Sequence, residues 1–414
     1  MKTMYKNIIR ETYLSKIRPY YDTDYIKAIT GLRRSGKSII LQQIKDELLA
    51  KGVEPSHILF YDLEGESGEG ITTRKKLEGR LHKDIKDNDL YYIFIDEVQH
   101  ISKFEIAIAS VRVSYHCSLF ITGSNSKLLR GKLKSRLTGR AKEFVVYPFS
   151  YKEAYDFKKL NNINIGERDF NEYLKWGGMP QRYLEPDEQA IHSYHSDIVN
   201  SIIEKDIFGT HKKIARESFN KVSQYIISSS GREFSASSIA NYMYGSMKKE
   251  EKETLCRTIL NYAKYLSESF ITVPCSSYSL TDKKALKSVD KYYCPSTGIK
   301  TAFTNTIDTD PSFALEGIVF LELLSRGYDV YRGTMRNGEI DFVAIKGGSK
   351  CLIQVAYLMV DPATREREFG AFKTIKEHSP AYVLSLEPIS QSSDGIANIN
   401  IIDWLLGRVD LQLG

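Results

Sequence analysis

The apolar positions along this chain recur at different periods in different stretches. From Tyr25 to Thr30 a short run with Ile26, Ala28 and Ile29 reads as a β-strand. After a glycine-rich turn, "SIILQQIKDELLAKG" carries Ile40, Ile44 and Leu48 at helical spacing, and Gly52 ends the pattern. "YYIFID", Tyr91 to Asp96, is a nearly continuous apolar run, the mark of a buried parallel strand. A helix follows around Ile101, Phe104, Ile108 and Val111, then a third strand, "CSLFITGSNS". Strands alternating with helices predict an α/β fold with a parallel sheet over residues 1–165.

Past a polar, turn-rich segment at 158–169 the period becomes helical. "FNEYLKWGGMPQRYL" predicts a helix that stops at Gly177-Gly178, because Pro180 prevents its continuation. "QAIHSYHSDIVNSIIEKDIFG" predicts another, so that 166–212 reads as a helical lid. Residues 213–304 read as three short helices and a β-ribbon, with Ser235 as an N-cap of the second helix. That order resembles a winged helix, whose third helix enters the DNA major groove in many cases and docks proteins in others. Lys252, Arg257 and Lys264 lie on that third helix. DNA and a protein partner are therefore equal alternatives.

Residues 305–414 return to α/β patterning. "FALEGIVFLELLSRG" predicts a helix capped by Gly327, and "YDVYRG" a strand. "GEIDFVAIKGG" alternates Ile340, Phe342 and Ala344 with Glu339, Asp341 and Val343 before a turn at Gly347-Gly348. "KCLIQVAYLM" reads as a buried strand, with "AYVLSLEPI" and "NINIIDWLL" after it.

Composition bounds the reading. A chain of 414 residues, 42% hydrophobic and 27% charged, predicts two to four soluble domains. No apolar run approaches a membrane span, and the N-terminus lacks the apolar core of a signal peptide. Five dispersed cysteines without a C-x-x-C pair suit reduced thiols and a cytoplasmic location. A net charge of +6 is compatible with a nucleic-acid partner without requiring one.

The candidate chemistry sits between the first strand and helix. "GLRRSGKS" spells G-x-x-x-x-G-K-S over Gly31, Leu32, Arg33, Arg34, Ser35, Gly36, Lys37 and Ser38, with Ile39 following. Glycines at this spacing let backbone N–H groups turn inward around phosphate oxygens, and the lysine reaches the β- and γ-phosphates. ATP with Mg²⁺ is the expected cofactor. Ser38 and Asp96 are the expected metal ligands, and Glu97 the general base that polarises the attacking water. Asn125 or Ser124, after the third strand, is placed to sense the γ-phosphate. The basic run "LLRGKLKSRLTGR" offers Arg136 or Arg140 to stabilise transferred charge, in cis or from a neighbouring subunit of a homo-oligomer.

With "ITGLRRSGKS", "IFIDEVQ", "FITGSNS", "LTGR", "VVYPFSYKEA" and "WGGMP" in view, the N-terminal half resembles the prokaryotic AAA-like ATPases of the STAND class. The resemblance implies that Gly178-Met179-Pro180 is the G-x-P element touching the nucleotide from the helical domain. "KYYCPSTGI", "EIDFVA" and "IQVAYLM" extend it to a widespread bacterial and archaeal family whose C-terminal domain resembles the restriction-endonuclease fold. In that superfamily active sites carry a helix Glu, a strand Asp and Glu-x-Lys. Here Glu316 and Asp341 match, but the third element reads Gln354-Val355-Ala356, and a lysine would have to come from elsewhere, Lys346 and Lys350 being near in sequence. The expectation is an ATP-hydrolysing switch acting on DNA or a protein partner. The alternatives are a DNA-processing enzyme with a C-terminal nuclease and a non-hydrolysing scaffold.

Overall fold

The computed structural model describes residues 5–414 apart from 127–138, 246–247, 307–309, 337, 374, 376–378, 389–391 and 394. The chain divides into two units. The first is Met1–Tyr147 with Glu268–Phe270, the second Pro148–Ser267 with Ile271–Gly414.

The first unit runs α1 (Glu11–Ile17), β1 (Ile26–Gly31), α2 (Lys37–Ala50), β2 (Ile58–Asp62), α3 (Arg74–Asp84), β3 (Tyr91–Asp96), α4 (Phe104–Ser114), β4 (Cys117–Gly123) and β5 (Ala141–Val146). The five strands form one parallel sheet in the order β2-β3-β4-β1-β5. Helices cover both faces, so the central strands are buried on both sides and read as unbroken apolar runs. Ile93, Ile95 and Ile121 pack with Leu77, Leu81, Ile108 and Val111 on one face. Phe94 and Phe120 pack with Leu14, Ile17, Ile40, Leu41 and Ile44 on the other. Phe94 and Phe120 stack at 4.6 Å between ring centroids.

Parallel strands bring all their C-terminal ends to one edge. Gly31, Asp96 and Gly123 end β1, β3 and β4 there, with β1 next to β4 and β4 next to β3. This edge is where open α/β sheets bind ligands. The edge strands β2 and β5 have mixed burial and escaped the sequence pattern.

The second unit begins with α5 (Tyr151–Leu160), closed at its start by a capping box between Ser150 and Glu153. Then come α6 (Asp169–Trp176), α7 (Glu188–Ser201), α8 (Arg216–Ser228), α9 (Ala236–Tyr244) and α10 (Lys249–Glu268). Ser235 caps α9, its side chain accepting from the Ser238 N–H. The hairpin β6 (Val273–Ser279) and β7 (Lys284–Tyr293), α11 (Thr297–Thr304), α12 (Pro311–Ser325), β8 (Asp329–Met335), β9 (Gly338–Lys346) and β10 (Ser349–Ala356) follow. The chain closes with α13 (Pro362–Gly370), β11 (Ala381–Ser385), β12 (Ala397–Asn400) and α14 (Ile401–Leu405).

Two boundaries differ from expectation. The units part at Tyr147, not at 165/166. The Phe149 N–H donates to the Gly178 carbonyl at 2.7 Å and the Tyr173 hydroxyl to the Phe149 carbonyl at 2.8 Å, tying the start of α5 to the lid helices. The expected boundary at 304/305 is crossed by a continuous sheet. β6 pairs parallel to β8 through Ser277–Ser279, so the β6–β7 ribbon is also one end of a seven-stranded sheet, β12-β11-β10-β9-β8-β6-β7. Finally, β9 is buried on both faces from Ile340 to Ala344, not on alternate positions, and α13 was not foreseen.

Candidate nucleotide-binding site

The loop between β1 and α2 owes its shape to its glycines. Gly31 has φ +143°, and a Cβ there would lie 2.1 Å from the Val146 carbonyl oxygen at the end of β5. Gly36 has φ +99° and stands as the residue before α2, whose first N–H groups are left without helical partners. Those N–H groups and the helix dipole favour an anion in front of the loop.

Lys37 opens α2 and is buried. Its ammonium donates to the carbonyls of Gly31 at 3.3 Å and Leu32 at 3.1 Å, and lies 3.9 Å from Glu97 Oε1. Leu32 and Ser35 are buried, Ile39 is half-buried and Arg34 is exposed with φ +64°. Arg33 pairs with Glu64 at 3.5 Å, and Glu64 in turn meets His100 at 3.3 Å.

Thr122, at the end of β4, links the Asp96 carboxylate to the Glu97 backbone. Its hydroxyl donates to Asp96 Oδ1 and accepts from the Glu97 N–H at 2.8 Å. Glu97 sits in the left-handed region, φ +53°, which turns its side chain out of the strand line toward Lys37. Gln99 donates to the second Glu97 oxygen. Burial raises the Asp96 pKa and the neighbouring Glu97 and Asp62 add to the rise, while the hydroxyls of Ser38 and Thr122 act against it. A hydroxyl and a carboxylate in contact at the loop are hard oxygen donors, the set a magnesium ion takes while keeping waters and phosphate oxygens. The residues therefore fit Mg²⁺.

Ser124 is buried and Asn125 half-buried just beyond β4, on the same edge as Asp96. Arg140 is exposed, and its carbonyl accepts from the Ile26 N–H at the N-terminal end of β1. The length of β1, roughly 17 Å at ~3.3 Å per residue, separates it from the loop. The structure thus does not bring Arg140 to the phosphates of its own chain. Arg136 lies outside the described residues. Gly178 and Pro180 lie in the second unit. There a Cβ on Gly178 would stand 1.9 Å from the Phe149 carbonyl, so local packing already requires glycine. Pattern reading passed over Thr122 as a hub and Gln99, ordinary polar residues whose roles appear only when β3 and β4 are side by side.

A second polar cluster lies in the C-terminal sheet. Lys291 on β7 meets Glu316 on α12 at 2.9 Å, and the Tyr293 hydroxyl donates to the same oxygen. Asp341 accepts from the Val355 N–H at 2.8 Å, while Gln354 Oε1 accepts from the Asp341 N–H at 3.2 Å. Burial, then the neighbouring Glu316, raises the Asp341 pKa well above the usual carboxylate range. Burial works to lower the Lys291 pKa, but Glu316 and Asp341 more than offset it, leaving a net rise. The lysine of this cluster is thus Lys291, not Lys346, which donates to the Arg326 carbonyl at 3.0 Å, nor Lys350, which lies over the Tyr278 ring at 5.3 Å.

Comparison with known proteins places this geometry. A family model described as an AAA domain matches residues 23–155, and one described as a domain of unknown function (DUF8612) matches 167–310. An uncharacterized protein of Haemophilus influenzae is 30% identical over 404 residues, covering 96% of this chain and 98% of that one. The uncharacterized protein MJ1544 of Methanocaldococcus jannaschii is 26% identical over 398 residues, covering 91% and 85%. Among solved structures, the Aeropyrum pernix ORC1 protein in complex with DNA is 11% identical at a TM-score of 0.33, over 74% of this chain and 95% of that one. Cdc6p from Pyrobaculum aerophilum is 9% identical at 0.31, over 78% and 97%. At such scores the likeness is loose. Among the described residues, no helix is long and apolar enough to cross a membrane.

Proposed function

This chain belongs to one family with its Haemophilus influenzae relative and carries an AAA-type P-loop ATPase domain, and from that premise we propose that it hydrolyses ATP slowly to ADP and phosphate as a nucleotide-dependent switch. The observation that carries the proposal is the convergence at one sheet edge of Lys37, Asp96 and Glu97, with the Thr122 hydroxyl bridging the Asp96 carboxylate and the Glu97 N–H. In this reading the loop N–H groups and Lys37 hold the phosphates, and Ser38 and Asp96 would hold Mg²⁺, which would supply charge neutralisation at the phosphates. Glu97 takes a proton from water as its oxygen bonds to the γ-phosphorus and the bond to the β,γ-bridging oxygen breaks. Asn125 or Ser124 senses the γ-phosphate. Glu97 also argues against a non-hydrolysing scaffold, since pure binding needs no base beside Asp96.

With Arg140 at the far edge, Arg136 or an arginine of a neighbouring subunit is left to meet the γ-phosphate. STAND-class coupling through Gly178 and Pro180 would carry nucleotide state to the three-helix segment α8–α10. There Arg257 and Lys264 are exposed and Lys252 half-buried, beside the acidic Glu250, Glu251 and Glu253, and DNA or a protein partner reads the state. The cysteines, all free thiols, suit a reducing cytoplasm.

The C-terminal sheet, in this reading a restriction-endonuclease-like domain, serves as a binding or packing surface. Lys291 already neutralises Glu316, which works against a divalent cation there. Linear, circular or branched DNA with Mg²⁺ or Mn²⁺ should stay intact. Cleavage lost in Asp341→Ala would instead favour the DNA-processing alternative. For the switch itself, Glu97→Gln should keep ATP binding and lower turnover by ~10²-fold or more. Lys37→Ala should weaken binding. Unchanged turnover in Glu97→Gln would remove Glu97 as the base.

A further inference from the structure

Arg10 lies just before α1, and its side chain is almost completely buried. One guanidinium nitrogen donates to the Ser35 carbonyl at 2.7 Å and the other to the Tyr147 carbonyl at 3.1 Å. The group stacks over the Tyr13 ring at 4.6 Å. A Cβ on Gly36 would come within 3.4 Å of it. The guanidinium therefore stands directly behind the phosphate loop, braced on the end of β5.

Burying a guanidinium costs several kcal/mol unless its donors are well placed, so a position this deep calls for a compensating role. The peptide plane supplies one. In a trans peptide the C=O of one residue and the N–H of the next point in opposite directions. Holding the Ser35 carbonyl on the outer side of the loop directs the Gly36 N–H to the inner side, toward the phosphates. The charge also raises the potential at the loop, where the helix dipole already favours anions.

The approach of Arg10 is itself fixed. Its backbone N–H donates to Gln43 Oε1 on α2 at 3.2 Å, and Gln43 Nε2 donates to the Ile8 carbonyl at 2.6 Å. The segment before α1 is thus pinned to the helix that the loop opens.

We infer that Arg10 is a positioning residue for nucleotide phosphates: it presets the Ser35–Gly36 peptide and places a positive charge behind the loop. The inference rests on the ATP-binding reading above. It goes beyond the glycine-lysine motif, which contains no residue N-terminal to Gly31.

The test compares the full-length parent with Arg10→Lys, Arg10→Met and Gln43→Ala. Calorimetric titration with Mg-ATP and Mg-ADP gives affinity, and thermal unfolding without nucleotide gives stability. Gln43→Ala loosens the same segment without touching the loop, so it controls for a purely structural effect. Arg10→Met should weaken both nucleotides by about tenfold or more, the scale of one lost charge-assisted hydrogen bond. Arg10→Lys, which keeps the charge but reaches one carbonyl, should fall between parent and Arg10→Met. Gln43→Ala should stay within about twofold of the parent in affinity while lowering the unfolding temperature. If Arg10→Met fails to fold, Arg10→Lys against Gln43→Ala decides alone. Affinities of the Arg10 variants matching the parent, or a loss in Gln43→Ala equal to theirs, would overturn the inference. A parent that binds no Mg-ATP would instead overturn the nucleotide reading.

Discussion

Replacing Thr122 by valine removes a hydroxyl while keeping the shape of a fully buried side chain. Two hydrogen bonds go with it, one to the Asp96 carboxylate and one from the Glu97 N–H. A bond to a charged group contributes about 1.5–3 kcal/mol, and leaving a buried N–H unmade costs about 1–3 kcal/mol. The sum predicts a loss of ~2.5–6 kcal/mol for the first unit, read as a shift in its urea unfolding midpoint. Activity should fall as well. Glu97 occupies a left-handed conformation, φ +53°, that costs a residue with a side chain ~1–2 kcal/mol. The Thr122 bond helps hold it there. Released, the carboxylate swings away from its place beside Lys37, and a displacement of about 1 Å is enough for a loss of ~10²-fold in turnover. Thr122→Ser keeps the hydroxyl and should restore most of both quantities. If Thr122→Val unfolds within ~0.5 kcal/mol of the parent and turns over ATP at the parental rate, the hub assigned to Thr122 does not exist.

Three further outcomes follow from the second unit. Burial holds the His195 pKa down to about 4, below the ordinary 6.5, so the unfolded chain takes up a proton that the fold refuses. Stability is then full above pH 6.5 and declines as pH falls toward 4, by ~3 kcal/mol in all; equilibrium unfolding across this window should show that slope, and His195→Gln should remove it. Lys291→Met strands the Glu316 carboxylate in a buried site and should destabilise the C-terminal sheet by ~3–5 kcal/mol, most of it recovered in the double variant with Glu316→Gln; strict additivity in that cycle would mean the two do not interact. If the three-helix segment holds DNA through phosphates, log K should fall with log salt by about 0.9 per contact, and removing Lys252, Arg257 and Lys264 should flatten the slope; binding indifferent to both points to a protein partner.

The legible parts of the site are those written over a few consecutive residues. Gly31, Gly36, Lys37 and Ser38 declare themselves because one backbone turn needs all of them at fixed spacing. Asp96 and Glu97 stand out because an apolar strand ends in two carboxylates. Arg10 carries no such signal. It sits in an unremarkable "NIIRET", and its partners at Ser35 and Tyr147 are backbone carbonyls, which leave no trace in residue type. The same limit hid the edge strands. β5 is half-exposed along much of its length, so its apolar pattern is weak, yet its Val146 carbonyl is what forbids a side chain at Gly31. Gly178 shows the converse. Its resemblance to a nucleotide-contacting element drew attention, while its contact with Phe149 accounts for the glycine through packing within the second unit.

The hairpin β6–β7 shows why strand partners resist prediction even when the strands themselves are found. Its two strands and the turn between them were visible, and three preceding helices made a wing the natural assignment. A strand edge is a row of unpaired backbone groups that any neighbouring strand can satisfy. Here β8 pairs with β6 at Ser277–Ser279, and the C-terminal sheet grows by two strands. That pairing has a chemical consequence. It carries β7 beside α12, where Lys291 and Tyr293 reach Glu316. A lysine thus reaches this carboxylate from a different part of the chain. It arrives as an ion-pair partner of a carboxylate, and a carboxylate so neutralised has less to offer a divalent cation. The hairpin that follows the three-helix segment therefore also closes the acidic cluster of the C-terminal sheet.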